Sequence, residues 1–162
     1  MTQSAPSPEI DKKAVYRELA RQIDSVIGDL DDEIATMAST ACLIHRALPY
    51  ASWTGFYRVV EDGLLRIGPY QGPLGCLEIR FGAGVCGAVA AERRSKIVDD
   101  VHSFAGHIAC DEAARSEVVV PIFRNDGRLA AVLDLDSHEP AAFDRDDADG
   151  LEAIAEILRP RL

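Results

Sequence analysis

Two Asp-Gly dipeptides, Asp62-Gly63 and Asp126-Gly127, constrain the fold of this chain more than any other feature. Each lies between short runs of alternating or β-branched residues, which is the strongest local signal for a hairpin. The flanking runs are Trp53–Val60 with Leu64–Tyr70, and Ser116–Phe123 with Leu129–Asp136, while Leu77–Phe81 and Lys96–Val98 read as two further strands. Hairpins make neighbouring strands antiparallel, so an antiparallel six-stranded sheet is expected. Helical spacing brackets it. Val15, Leu19, Ile23, Val26, Ile27 and Leu30 recur three and four apart in a helix that starts near Glu9. Asp31-Asp32 caps a second helix from about Glu33 to Ala47, which Pro49 closes. Gly87–Arg94 reads as a short helix between strands, and Phe143–Leu158 as a final amphipathic helix with Asp144 near its start. The pattern predicts an α+β domain in which the N-terminal helices and the C-terminal helix pack on one face of the sheet.

A chain of 162 residues buries one self-sufficient core, and no repeat or linker divides it. Residues 1–8, rich in Ser and Pro, read as a mobile leader, and 9–162 as a single domain. The net charge of −10, with no Lys/Arg cluster, argues against nucleic acid as a partner. The first residues lack the basic start and apolar run of a signal peptide, and no apolar run is long enough to span a bilayer. The expected compartment is the cytoplasm, with no membrane partner. In a reducing compartment, four cysteines point to catalytic or redox-sensing thiols more than to a structural disulfide.

Three of the four have chemistry written around them. Cys76, Cys86 (in Gly84-Val85-Cys86-Gly87) and Cys110 (in Gly106-His107-Ile108-Ala109-Cys110-Asp111) lie beside glycines or in a polar stretch. Buried, inert cysteines sit in apolar runs, as Cys42 does among Ala41, Leu43 and Ile44. Reactive thiols need partly exposed, polar or electropositive surroundings. His107 is placed to supply part of that for Cys110; it and His102 either tune the thiol or hydrogen-bond the loop. His45 and His138 read as surface residues. Asp134 and Asp136 are two apart on a strand and share a face, which is either solvated or a cleft. Trp53 and Tyr57 share a face for the same reason, as core packing or as an aromatic wall, while Phe56 points into the core.

Taken together, Trp53-Thr-Gly-Phe-Tyr57, Gly68-Pro-Tyr-Gln-Gly72, Gly84-Val-Cys-Gly87, Asp100-Val-His102, Gly106-His-Ile-Ala-Cys-Asp111, Ser116-Glu117 and Leu133-Asp-Leu-Asp-Ser137 resemble the free methionine-(R)-sulfoxide reductases. Those enzymes are built on a single GAF domain. The resemblance runs from Trp53 to about Gly150 and keeps the family's cysteine spacing, with small departures at Ala51-Ser52 and Ala105. It implies reduction of free methionine-(R)-sulfoxide by thiolate attack, sulfenic acid formation and disulfide resolution. Cys110 would attack and Cys76 resolve, with thioredoxin as reductant and no cofactor. Cys86 stays open as a relay or even as the nucleophile. Glu117, Asp134 and Asp136 would be the pocket carboxylates, one of them kept protonated to donate to the sulfoxide oxygen. Trp53 and Tyr57 would wall the substrate cage, and relatives imply a homodimer, with the N-terminal helices able to form its interface.

Two other classes compete. Cys76, Cys86 and Cys110 with His102 or His107 have the donors of a Cys₃His zinc centre, though no C-x-x-C pair is present. A non-catalytic GAF module that senses a small molecule or redox state is the alternative to an enzyme.

Overall fold

The computed structural model describes residues 10–108 and 110–162. The leader expected at residues 1–8, and the helix start at Glu9, lie outside the described residues. Helix α1 (Lys12–Ile27) begins where the Asp11 side chain accepts from the Ala14 N–H, and α2 (Glu33–Ala47) where Asp32 accepts from Ala35. Strands β1 (Trp53–Glu61), β2 (Leu64–Gln71) and β3 (Glu78–Arg80) follow, then α3 (Gly84–Glu92), β4 (Lys96–Val98), β5 (Ser116–Phe123), β6 (Leu129–Ser137) and α4 (Arg145–Leu158). The six strands form one antiparallel sheet in the order β3-β2-β1-β6-β5-β4. Asp62-Gly63 and Asp126-Gly127 make the two tight connections, each glycine with the positive φ that a side chain would resist.

Period-two alternation sorts the strands into two faces. Phe56, Val118, Val120, Leu133 and Leu135 meet the apolar stripes of α1, α2 and α4 in the larger core. Trp53, Tyr57, Val119 and Val132 point the other way, against Val85, Cys86, Val89 and Ala90 of α3. The three long helices thus share one face, as the sequence predicts, and α3 with its flanking loops covers the other. The domain is the α+β arrangement that the sequence predicts.

Helix α3 starts at Gly84, three residues before its expected beginning at Gly87, and stops at Arg93, whose backbone is left-handed. Glycine disfavours helices, so the sequence pattern discounts this turn. Close packing overrides the propensity: a Cβ on Gly87 would collide with the carbonyl oxygen of Arg80. Helix α4 starts at Arg145, two residues later than Phe143, because Asp144 and Asp147 close a reciprocal capping box. Asp147 is fully buried and also accepts from Tyr16 (2.9 Å), Tyr50 (2.6 Å) and Lys12 (2.5 Å), which ties α1 to α4. Among the described residues no helix is long and apolar enough to cross a membrane.

Candidate active site

The register of the central strands assembles the site. In the antiparallel pairing of β6 with its neighbours, Asp136 lies opposite Trp53 on β1 and Glu117 on β5, and Asp134 lies opposite Gly55 and Val119. Leu133 and Leu135 alternate with the acids into the helix-packed core, so the acids must face the α3 side. That face is a cleft rather than a solvated surface. Glu117 is 7% exposed and Asp134 5%.

Trp53 and Tyr57 stand on the same face and stack at 5.7 Å between centroids, and Tyr70 of β2 also stacks on Trp53, at 5.2 Å. The indole N–H donates to the Pro73 carbonyl at 2.9 Å, which fixes the ring. Gly55 makes this possible: a Cβ there would strike both the Trp53 ring and Tyr70. Tyr70 thus buttresses the Trp53 ring, a support that the sequence analysis does not identify. Its position opposite Gly55 in the β1–β2 hairpin was the available signal.

Cys86, in the first turn of α3, is buried over the acids, and its thiol donates to Glu117 Oε1 at 3.9 Å. Burial, then the charges of Asp134 and Glu117, push this thiol well above its ordinary pKa. Burial also pushes Asp134 up to about 7. Glu117 is driven well above the carboxylate range by burial and by the Asp134 and Asp136 charges, and Asp136 by burial and Asp134. Three carboxyls, two of them buried and Asp136 half-buried, therefore face one another and cannot all ionise cheaply. Asp134 Oδ1 is buried without a hydrogen-bond partner, a lone pair aimed at whatever enters.

The thiol pair closes the cleft. Cys76, in the β2–β3 connection, and Cys110, in the loop before β5, are joined in a disulfide with their Cα atoms 5.2 Å apart. Of this pair it is Cys110 that lines the cavity, together with Cys86 and the three acids. The cavity under the bonded loops holds about 40 Å³, enough for a few waters. A Cys₃His zinc centre is incompatible with this state, since two of its three thiols are spent on each other.

Four sequence readings are amended or completed by the structure. Cys42 is half-buried rather than buried, although it is unbonded. His45 is half-buried too, its Nδ1 3.2 Å from Thr54 Oγ1. His138 is exposed, but its Nε2 lies 3.0 Å from Asp111 Oδ2 and pins the residue after Cys110 to the end of β6. His107 reaches the cavity and stands edge-on to His102 at 6.0 Å. Burial and then the His102 charge lower its pKa, so His107 offers a neutral imidazole rather than a positive charge. Helix α3 carries no side-chain cap, and its Gly84, Val85 and Cys86 border the cavity, so a helix N-terminus opens onto the site.

The arrangement is that of known proteins. Residues 29–159 match the GAF domain family. The chain is 37% identical over 149 residues to an Escherichia coli free methionine-R-sulfoxide reductase, covering 92% of this chain and 89% of the relative. A Saccharomyces cerevisiae protein of the same name is 34% identical over 158 residues, covering 94% and 88%. The fold superposes with a TM-score of 0.89 on a free methionine-R-sulfoxide reductase from Neisseria meningitidis solved with its substrate, at 42% identity over 99% of this chain and 95% of that one. A closable thiol pair over buried acids, on a scaffold shared with these proteins along nearly their whole length, places the chain in the GAF-domain family of free methionine-R-sulfoxide reductases.

Proposed function

We propose that this protein reduces free L-methionine-(R)-sulfoxide to methionine through Cys110, Cys76 and the buried acids. One observation carries the reading: the bonded pair roofs a cavity whose floor is a cluster of carboxyls that cannot all ionise cheaply. Cys110 is the attacking thiol because it is the bonded partner that faces the cavity. Cys86 is a poor nucleophile, since burial among carboxylates keeps it a thiol and only thiolates attack.

The Cys110 thiolate attacks the sulfoxide sulfur while a protonated carboxyl, Glu117 or Asp136, donates to the oxygen. The hydroxyl so formed passes from the substrate sulfur to the Cys110 sulfur as the transient S–S bond and the S–O bond both break, methionine leaves and Cys110 carries a sulfenic acid. Cys76 condenses with it, releasing water and forming the Cys76–Cys110 disulfide. An external dithiol, thioredoxin in class, then takes up the oxidising equivalents and restores both thiols. Asp134 offers its free oxygen to the substrate ammonium, Trp53 and Tyr57 wall the thioether carbon chain, and the open N-terminus of α3 suits the carboxylate. A homodimer in the cytoplasm is the assembly we expect; Val26 and Ile34, exposed on the helical layer, support pairing of two copies.

A coupled assay following NADPH consumption with thioredoxin, its reductase and each diastereomer tests this. Turnover of the R form alone is expected. Cys110→Ser should abolish a single turnover, whereas Cys76→Ser should release roughly one methionine per site and stall. Full single-turnover yield from Cys110→Ser, with loss in Cys86→Ser, would reverse the assignment.

A further inference from the structure

Cys86 is the one buried thiol that the proposed reaction leaves unused. Its Sγ and one carboxylate oxygen each from Glu117 and Asp134 all lie within 4.8 Å of one another. A tetrahedral zinc, with bonds of about 2.3 Å to sulfur and about 2.0 Å to oxygen, holds its donors roughly 3.5 Å apart. The Cys86–Glu117 separation of 3.9 Å is already close to that value. The donors come from α3, β5 and β6, all regular elements, so only small side-chain adjustments are needed. Asp134 Oδ1, buried and without a partner, is the independent sign of an unfilled position.

We propose that Cys86, Glu117 and Asp134 form a site for a divalent cation of borderline softness, zinc in class, whose occupation excludes the substrate. A thiolate with two carboxylates carries three negative charges, which a dry site tolerates only with a cation among them. The sulfur selects against magnesium and calcium, which prefer all-oxygen sets. Three protein donors leave a fourth position open toward the cavity for water. Neither Cys76 nor Cys110 is a donor, so the site does not depend on the reactive pair. The exclusion half rests on the reading above, because the ammonium and sulfoxide groups would use the same two acids.

Cobalt(II) is the probe, since a thiolate ligand gives it a near-ultraviolet charge-transfer band. The full chain, kept reduced with a phosphine, should bind one cobalt per chain and show that band. The double variant Cys76→Ala/Cys110→Ala should keep it, Cys86→Ala should lose it, and Glu117→Gln should weaken binding at least roughly tenfold while the band remains. Free methionine-(R)-sulfoxide added to the double variant, which cannot turn over, should bleach the band. A band that persists in Cys86→Ala and vanishes in the double variant would overturn the site. A band indifferent to substrate, in a protein whose metal-free form is active, would overturn the exclusion. Absence of turnover in the metal-free protein would remove the reductase reading instead, and a Cys86-dependent band would still support the site.

Discussion

Asp134 shows how a single residue couples stability to chemistry. Burial raises its carboxyl to about 7, above the unfolded value, so the native state holds a proton that the unfolded chain has released. The sign follows: this contribution is complete below about pH 4 and is lost as pH rises through 7. Exposed carboxylates such as Asp126 are shifted the other way by their Arg128 hydrogen bonds and titrate below that window. The melting temperature of the reduced protein should therefore rise by several degrees from pH 8 to pH 5, and Asp134→Asn should flatten the slope. A slope unchanged in the variant would remove Asp134 as its cause. In the proposed reading the same residue also governs recognition. Acetylating the substrate nitrogen removes the charge that Asp134 would pair, at about 3–5 kcal/mol for a buried pair. N-acetylmethionine sulfoxide should lose at least two orders of magnitude in kcat/KM, measured against the free amino acid.

At the scale of elements, the fit of α3 against β3 decides where Cys86 sits. Gly87→Ala would raise helix propensity by about 1 kcal/mol in isolation. Here the added methyl meets the Arg80 carbonyl and the Gly82 backbone, so the net effect should be destabilisation of about 1–3 kcal/mol. Thermal unfolding should show a drop of several degrees, and activity should fall with it as the first turn of α3 moves off the acids. A stabilised variant would mean that the contact relaxes without cost. This is also where sequence legibility ends. The hairpins and long helices are written in local patterns, so β1, β2, β5 and β6 are found within about a residue of where they lie. The start of α3 depends on a backbone contact with a strand several residues earlier, which no local pattern encodes. Which way Asp134 and Asp136 point is likewise undecidable from alternation alone. Only the packing of Leu133 and Leu135 against the helices turns the acids inward. The thiol pair became legible through resemblance rather than spacing, because loop geometry brings together residues 34 apart in sequence.

For the whole molecule, Asp147 ties the two ends of the helical layer to the turn that leads into β1. It joins the chain's first described helix to its last through Lys12, Tyr16 and Tyr50. Tyr16 and Tyr50 are kept neutral, their ionisation opposed by burial first and then by Asp147. Asp147→Ala would leave Lys12 without its buried partner and two hydroxyls without an acceptor, a loss of about 3–5 kcal/mol. Thermal melts should show a fall of roughly 2–4 °C for each kcal/mol, far more than for removal of the exposed Arg145–Asp149 pair. Equal effects from the two would show that the clasp carries no special weight.

In the proposed cycle, the roof formed by Cys76 and Cys110 sets the order of events. The bond that would end each turnover lies over the cavity, which in this bonded state holds only a few waters. The amino acid can meet only the dithiol protein, and the reductant only the bonded one. The two reactants never compete for one form, methionine must depart before the roof closes, and the double-reciprocal plots for substrate at several reductant concentrations run parallel.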